Sequence, residues 1–244
     1  MVRILKSIAL ILLLTSSLYG QKIYFYTTEN NINDFKNLKS TFDDYLNEYG
    51  NFTFHPFTNK DKFETFLKDE KIVVFLSSWH YNQVFRKYAL KARLVALKNN
   101  KSIDTKVLVG KKNTSFGGKI TTAFSRDYTS KLFDELSLNK DINIINVSKE
   151  IDALMAVGFG MSQFALVSKD SFEALKKVNS FLAKQLIVFK ESEPKLRMLI
   201  ATKGHYEDKR LKALFEDMSL NKKGKKVLNI LGVDDIVALT PELK

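Results

Sequence analysis

The chain has 244 residues, a formal net charge of +12, 45% apolar residues and no cysteine. That apolar content excludes a disordered chain and is enough for one large domain or two small lobes with their own cores. The absence of thiols excludes disulfides, a lipid-modified N-terminal cysteine, and thiolate metal or redox chemistry.

The first twenty residues differ from the rest. Arg3 and Lys6 precede an apolar run over 8–14, and Thr15, Ser16, Ser17 and Gly20 are small or polar. A basic start, a short apolar segment and a small-residue end read as a secretory signal peptide, residues 1–20, cut after Gly20. An uncleaved anchor is the alternative, but a membrane span needs about 20 apolar residues. Beyond this leader the lysines are spread along the chain and mixed with acids, as in KDKFE at 60–64. That pattern is a solvated surface without an aromatic-basic stripe, so no nucleic acid is expected as a partner; a small anion is compatible with the charge.

The elements then follow in order. Residues 22–26 (KIYFY) are strand-like. Over 33–49, Phe35, Leu38, Phe42, Tyr45, Leu46 and Tyr49 fall on one helical face, and Gly50 ends the helix. Residues 52–57 alternate as a strand, 60–68 form a short helix, and 72–76 (IVVFL) form a buried strand. A helix over 80–88 and strands over 92–98 and 104–109 follow, and the turn-rich 110–119 marks a lobe boundary. The alternation restarts with strands at 119–124, 142–147, 163–167, 183–189 and 197–202, interleaved with helices at 128–136, 149–157 and 171–177. Two helices, 206–218 and 222–231, close the chain. Strand–helix alternation implies mostly parallel sheets with helices on their faces. The last two helices have no sheet of their own, so they are expected to return to the first unit. The chain would then cross between lobes near 107–110 and near 197–201, giving lobes 21–108 plus 202–244 and 109–201.

Four segments carry a family resemblance. The end, NKKGKKVLNILGVDDIVALTPELK, places Gly224, Lys225, Val227, Leu228, Leu231, Gly232, Val233 and Asp234 in a G-K-x-V-L-x-x-L-G-[IV]-D pattern. VVFLSSWHYNQVF is a strand, a small-residue turn, an aromatic and a helix; AFSRDYTSKLFDEL is a strand running into a hydroxyl-rich helix start. EIDALMAVGFGMSQFALVSKDSFEAL runs helix, glycine turn, strand, helix. In this order they resemble the phosphonate-type branch of the type 2 periplasmic binding proteins, the soluble capture subunits of ABC importers, over nearly the whole chain after the leader. The resemblance implies an α/β, two-lobed periplasmic-binding-protein type 2 fold, each lobe a mixed sheet flanked by helices, with two hinge crossovers. Where such proteins carry Ser-Thr-Ser-Gly at the anion-binding helix start, this chain has Tyr128-Thr129-Ser130-Lys131. Where they often place an acid suited to a ligand amino group, it has Ser168.

The candidate site residues come from strand ends, beyond which ligands lie in open α/β sheets. Ser125, Tyr128, Thr129 and Ser130 stand where a strand gives way to a helix, whose free N–H groups and positive end suit an oxyanion; plain capping by Ser125 or Asp127 is the alternative. Ser78, Trp79 and Tyr81 follow a buried strand and offer an aromatic wall, or else edge packing. Ser168 is added by the resemblance, and Thr27, Thr28 and Glu29 are weaker candidates. His55, His80 and His205 have no metal-site spacing, and no nucleotide-loop or hydrolase motif is present, so neither cofactor, metal nor catalysis is expected. The expected function is capture of a small ligand, an oxyanion such as a phosphonate or phosphate-like compound, by a periplasmic monomer serving an ABC permease. A ligand-sensing subunit for a membrane histidine kinase is the alternative. Mass spectrometry of the exported protein should find a new N-terminus near Gln21; an intact Met1 on a cytoplasmic protein would overturn the leader assignment.

Overall fold

A computed structural model describes residues 20–243 apart from 28, 30–33, 116, 139–141 and 205–208. The leader therefore lies outside the described residues, save Gly20, as do Thr28, His205 and the start of the helix expected over 206–218. The first sheet contains β1 (Gln21–Phe25), β2 (Phe52–Pro56), β3 (Val73–Leu76), β4 (Leu90–Leu97), β12 (Leu199–Lys203) and β13 (Asp235–Ala238), in the order β13-β4-β12-β3-β1-β2. β1 is parallel to β2 and β3, while β12 runs antiparallel to β3 and β4, and β13 antiparallel to β4. The second sheet contains β6 (Lys106–Lys111), β7 (Lys119–Thr122), β8 (Asn143–Asn146), β9 (Phe164–Ser168) and β10 (Leu186–Glu191), in the order β10-β6-β9-β7-β8. Both sheets are mixed, because each receives strands that arrive from the other.

The crossovers themselves pair. β5 (Ile103–Asp104) and β11 (Lys195–Leu196) form a two-stranded antiparallel ribbon between the sheets. The chain thus leaves the first sheet after Leu97 and regains it at Leu199, so Lys106–Val109 belongs to the second sheet and Leu199–Ala201 to the first. This shifts both crossings a few residues toward the N-terminus of where the hydrophobic runs put them. An apolar run shows that a strand is buried but not which sheet it joins.

Period-two alternation gives each sheet two apolar faces. In the first sheet, Ile23, Phe25, Val73 and Phe75 face one core with α1 (Phe35–Leu46), α8 (Lys209–Glu216) and α9 (Lys222–Leu231); Tyr24, Val74 and Leu76 face the other with α2 (Lys60–Phe66) and α3 (Ser78–Val84). In the second, Val107, Val109, Ala165 and Val167 pack under α5 (Glu150–Gly158), α6 (Lys169–Val178) and α7 (Ser180–Gln185), and Leu108, Ile120, Phe164 and Leu166 under α4 (Arg126–Glu135). The helices after β12 do sit on the first sheet: Tyr45 Oη of α1 donates to the Leu214 carbonyl at 2.5 Å, and Lys223 of α9 meets Glu48 at 2.9 Å.

Two elements differ from the sequence reading. Residues 180–185 are helical, because Asn179 caps a new helix by accepting the Leu182 N–H at 3.0 Å while Leu182 and Ala183 are buried. The C-terminal segment adds a strand after the last helix. Gly232 closes α9 at φ +72°, a left-handed conformation that suits glycine, and β13 then buries Ile236 against β4.

Gly224 is required for a different reason. A Cβ there would lie 2.4 Å from the Met218 carbonyl oxygen and 2.7 Å from its Cα, neither of which can swing aside. Helix propensity favours alanine by about 1 kcal/mol, but overpacking against fixed atoms costs about 1–3 kcal/mol. Gly224→Ala should therefore lower the thermal midpoint by several degrees in calorimetry; an unchanged or raised midpoint would show that the turn before α9 yields freely.

Candidate functional site

The cleft between the sheets narrows at the crossover ribbon to a cavity of about 60 Å³, lined among others by Thr27, Glu29, Asp104, Lys106, Glu150, Ser168 and Arg197. Its outer part, about 590 Å³, is bordered by Lys98, Ser148, Lys149, Glu150 and Gly232. Lys106, at the base, is fixed by backbone register. It opens β6 and pairs with Ser168, the last residue of β9. Its side chain is 6% exposed, and its ammonium meets Asp104 at 2.5 Å and Glu29 at 3.6 Å. The same Nζ lies 4.9 Å from the Phe124 ring centre and 5.8 Å from that of Tyr128, within cation–π range. Glu29 comes from the segment after β1, so this cluster ties the first sheet to the second.

Arg197 follows β11. Its Nε donates to the Lys101 carbonyl at 3.1 Å, and its guanidinium reaches Asp170 at 2.5 Å and Asp104 at 3.6 Å. Glu150, in the first turn of α5, accepts both the backbone N–H and the hydroxyl of Ser168 at 2.6 Å. A carboxylate therefore sits at Ser168 although the sequence has none there. Three carboxylates, from Glu29, Asp104 and Glu150, and three cations, from Lys98, Lys106 and Arg197, thus line the cavity, with Asp170 paired to Arg197 beside it.

Burial alone would lower the Lys106 pKa, but Asp104, with Tyr128, Glu29 and Glu150, reverses this and holds it well above the lysine range. Burial pushes Asp104 up, and Lys106 and Arg197 more than reverse it, so its carboxyl stays below the usual range. Glu29 is raised: burial outweighs the attraction of Lys106. Burial likewise raises the Tyr128 phenol, keeping it neutral.

Of the residues chosen from sequence, Ser168 lines the cavity, and so do the weaker candidates Thr27 and Glu29. The helix start at 126 does not. Ser125 accepts the Tyr128 N–H at 3.3 Å, the buried Thr129 hydroxyl donates to the Ser125 carbonyl at 2.8 Å, and Ser130 is exposed. The Ser125, Tyr128 and Thr129 groups satisfy one another as a helix cap. Tyr128 is buried and packs on Trp79, ring centres 5.8 Å apart, so an aromatic contact joins α3 of the first lobe to α4 of the second. Ser78 and Tyr81 border a separate hollow behind the ribbon with Asn82, Lys91 and Pro194. The Tyr81 hydroxyl there donates to the Leu90 carbonyl at 3.3 Å and accepts the Ala92 N–H at 3.2 Å. His80 is buried with Nε2 3.0 Å from Glu64, and burial lowers its pKa. Among the described residues, no group of three His, Asp or Glu is placed to hold a metal.

Two mixed sheets joined by a paired ribbon, with a polar cavity at the junction, are also the architecture of known proteins. The fold is that of the periplasmic solute-binding proteins. A binding-protein component of a phosphonate ABC transporter from Pseudomonas aeruginosa is 14% identical, with a TM-score of 0.58 over 92% of this chain and 83% of that one. PhnD1 from Prochlorococcus marinus, solved with methylphosphonate, is 13% identical, with a TM-score of 0.60 over 92% and 94%. A Xanthomonas citri protein solved with chloride is 8% identical, with a TM-score of 0.63 over 92% and 94%. We found no protein-family model that matches the sequence and no match among curated proteins.

Sequence reasoning missed Lys106, Asp104, Glu150 and Arg197. A signal existed for two of them: Lys106 and Arg197 stand directly before buried apolar runs, KVLVG and RMLIA, where a solvated cation is out of place.

Lys106→Met would leave Asp104 and Glu29 buried beside one remaining cation, a loss of about 3–5 kcal/mol at neutral pH. The sign with pH follows from linkage. Without the ammonium, Asp104 loses the attraction that offsets its burial and rises, and Glu29, already raised by burial, rises further. The fold then binds more protons than the unfolded chain, and stability falls as pH rises. The deficit in urea unfolding should therefore be smaller at pH 5 than at pH 7; an equal deficit at both would remove the electrostatic account.

Proposed function

We propose that the chain is a non-catalytic periplasmic solute-binding subunit that closes its two lobes on a small polar ligand and delivers it to the permease of an ABC importer. The observation that carries this reading is the buried ion cluster contributed by both lobes at the base of the cleft. Buried charges and hydroxyls at a hinge give a small ligand strong partners only when the lobes are together, which couples binding to closure.

The ligand we propose is zwitterionic. At the base Lys106 and Arg197 are held by the protein's own Asp104 and Asp170, which leaves Glu29 and Glu150 as acceptors for an amino group. The outer part of the cleft carries both charges, with Glu29, Asp34 and Glu150 on its border. Lys98 and Lys149 border it, and α5 begins there at Lys149 without a side-chain cap, leaving N–H groups for an acidic group. An aminoalkylphosphonate or a similar amino acid analogue meets both demands, and the oxyanion expected from sequence becomes one end of it.

The test is titration with phosphate, sulfate, methylphosphonate and an aminoalkylphosphonate, followed by thermal shift and by Trp79 emission, which the contact with Tyr128 makes sensitive to lobe movement. The amino compound should bind about tenfold or more tighter than methylphosphonate, since hydrogen bonds to charged groups contribute about 1.5–3 kcal/mol. Glu29→Gln should erase most of that difference. Equal binding of both phosphonates would remove the zwitterion, and no binding by any of the four would remove the assigned cleft. Capture of a histidine kinase rather than a permease from detergent-solubilised membranes would reassign the partner.

A further inference from the structure

Seven large apolar side chains stand exposed among the described residues, and four of them lie at one corner of the second lobe. Phe159 and Met161 occupy the turn after α5, at 73% and 65% exposure; Val178 and Phe181 occupy the junction of α6 and α7, at 74% and 75%. The two segments are neighbours. Leu182 packs so closely on Gly158 that a Cβ there would lie 2.7 Å from its Cδ2, and Lys111 Nζ donates to the Gly158 carbonyl at 3.0 Å. The corner is at the C-terminal end of α5, while the cleft is at its N-terminal end, so these side chains are remote from the ligand site.

Their surroundings are basic. Lys177 and Lys184 are exposed on α6 and α7, Lys112 is exposed after β6 with its N–H on the Gln185 carbonyl at 3.2 Å, and Glu173 on α6 is engaged by Lys176 at 2.7 Å. We infer that this corner inserts into the headgroup layer of an anionic phospholipid membrane. Two features select lipid over a protein partner. The four side chains protrude singly, with most of each surface free, and protruding groups need a deformable medium rather than a preformed pocket. The lysines beside them can reach phosphates while the rings and the Met161 and Val178 side chains enter the acyl boundary. No helix among the described residues is long and apolar enough to cross a membrane.

A fluorescence experiment on the full chain reads this corner separately from the N-terminal segment. In a Trp79→Phe, Phe159→Trp double variant, the only indole reports the corner. With vesicles containing phosphatidylglycerol, its emission should shift to the blue and be quenched by brominated acyl chains; with phosphatidylcholine alone, or at high salt, both effects should fall. Adding Phe181→Ser, Lys177→Gln and Lys184→Gln should weaken the lipid titration about tenfold. Absence of the shift on anionic vesicles overturns the inference, as does a shift equal on both lipids or unchanged by the added substitutions. Concentration-dependent dimerisation lost in the same variants, without a lipid response, would assign the corner to a second copy of the chain instead.

Discussion

The Lys106 ammonium is the constraint on which the junction of the two lobes depends. Moving a charge of this size out of water costs several kcal/mol even after relaxation, so its partners must be placed accurately and permanently. Asp104 at 2.5 Å comes from the ribbon strand two residues earlier, Glu29 at 3.6 Å from beyond β1, and the rings of Phe124 and Tyr128 from the second lobe. Satisfying one ammonium therefore fixes four segments at once. Arg197 repeats the arrangement on the returning crossover, where Asp104 and Asp170 hold it. The ribbon itself is only two residue pairs long, so the ion pairs, more than its ladder, define how the crossovers lie together.

That solution shapes the chemistry offered to a ligand. Lys106 and Arg197 at the base are already paired with carboxylates of the protein, while Lys98, Glu29 and Glu150 also line the cavity. Ser168 shows how such a site can be assembled indirectly: its hydroxyl and N–H bring in the Glu150 carboxylate, so an acid occupies a position where the chain itself has a serine. The helix start at 126, by contrast, spends its hydroxyls on its own backbone. A hydroxyl-rich helix start is equally good as a cap and as an anion site, and only the direction of the cleft decides between them.

The basic surplus of the chain is likewise unevenly used. Lys106 and Arg197 are buried in ion pairs, Lys98 and Lys149 border the cleft, and Lys112, Lys177 and Lys184 lie beside exposed apolar side chains at the far end of the second lobe. A net charge alone cannot distinguish these roles, because it counts a desolvated, paired ammonium and a solvated one alike.

The amino-acid sequence by itself determined most of the elements and the class of fold. Apolar residues at three- and four-residue spacing marked α1 and α9, uninterrupted runs marked β3 and β9, and capping by Ser125 was among the readings of the helix start at 126. Those signals are local, and local backbone geometry is enough to express them. It did not reveal β13, whose four residues become a strand only because β4 offers an edge, nor α7, which a cap at Asn179 starts inside an apolar run. The site was legible only at its margins, in Thr27 and Glu29, which follow the first strand, and in Ser168, which the family resemblance supplied. Lys106, Asp104, Glu150 and Arg197 are separated by up to 93 positions and converge through sheet register and the paired crossovers. Tertiary structure alone decided that convergence, since the energy of a buried charge depends on which partners are within a few ångströms and not on which residues precede it in the chain.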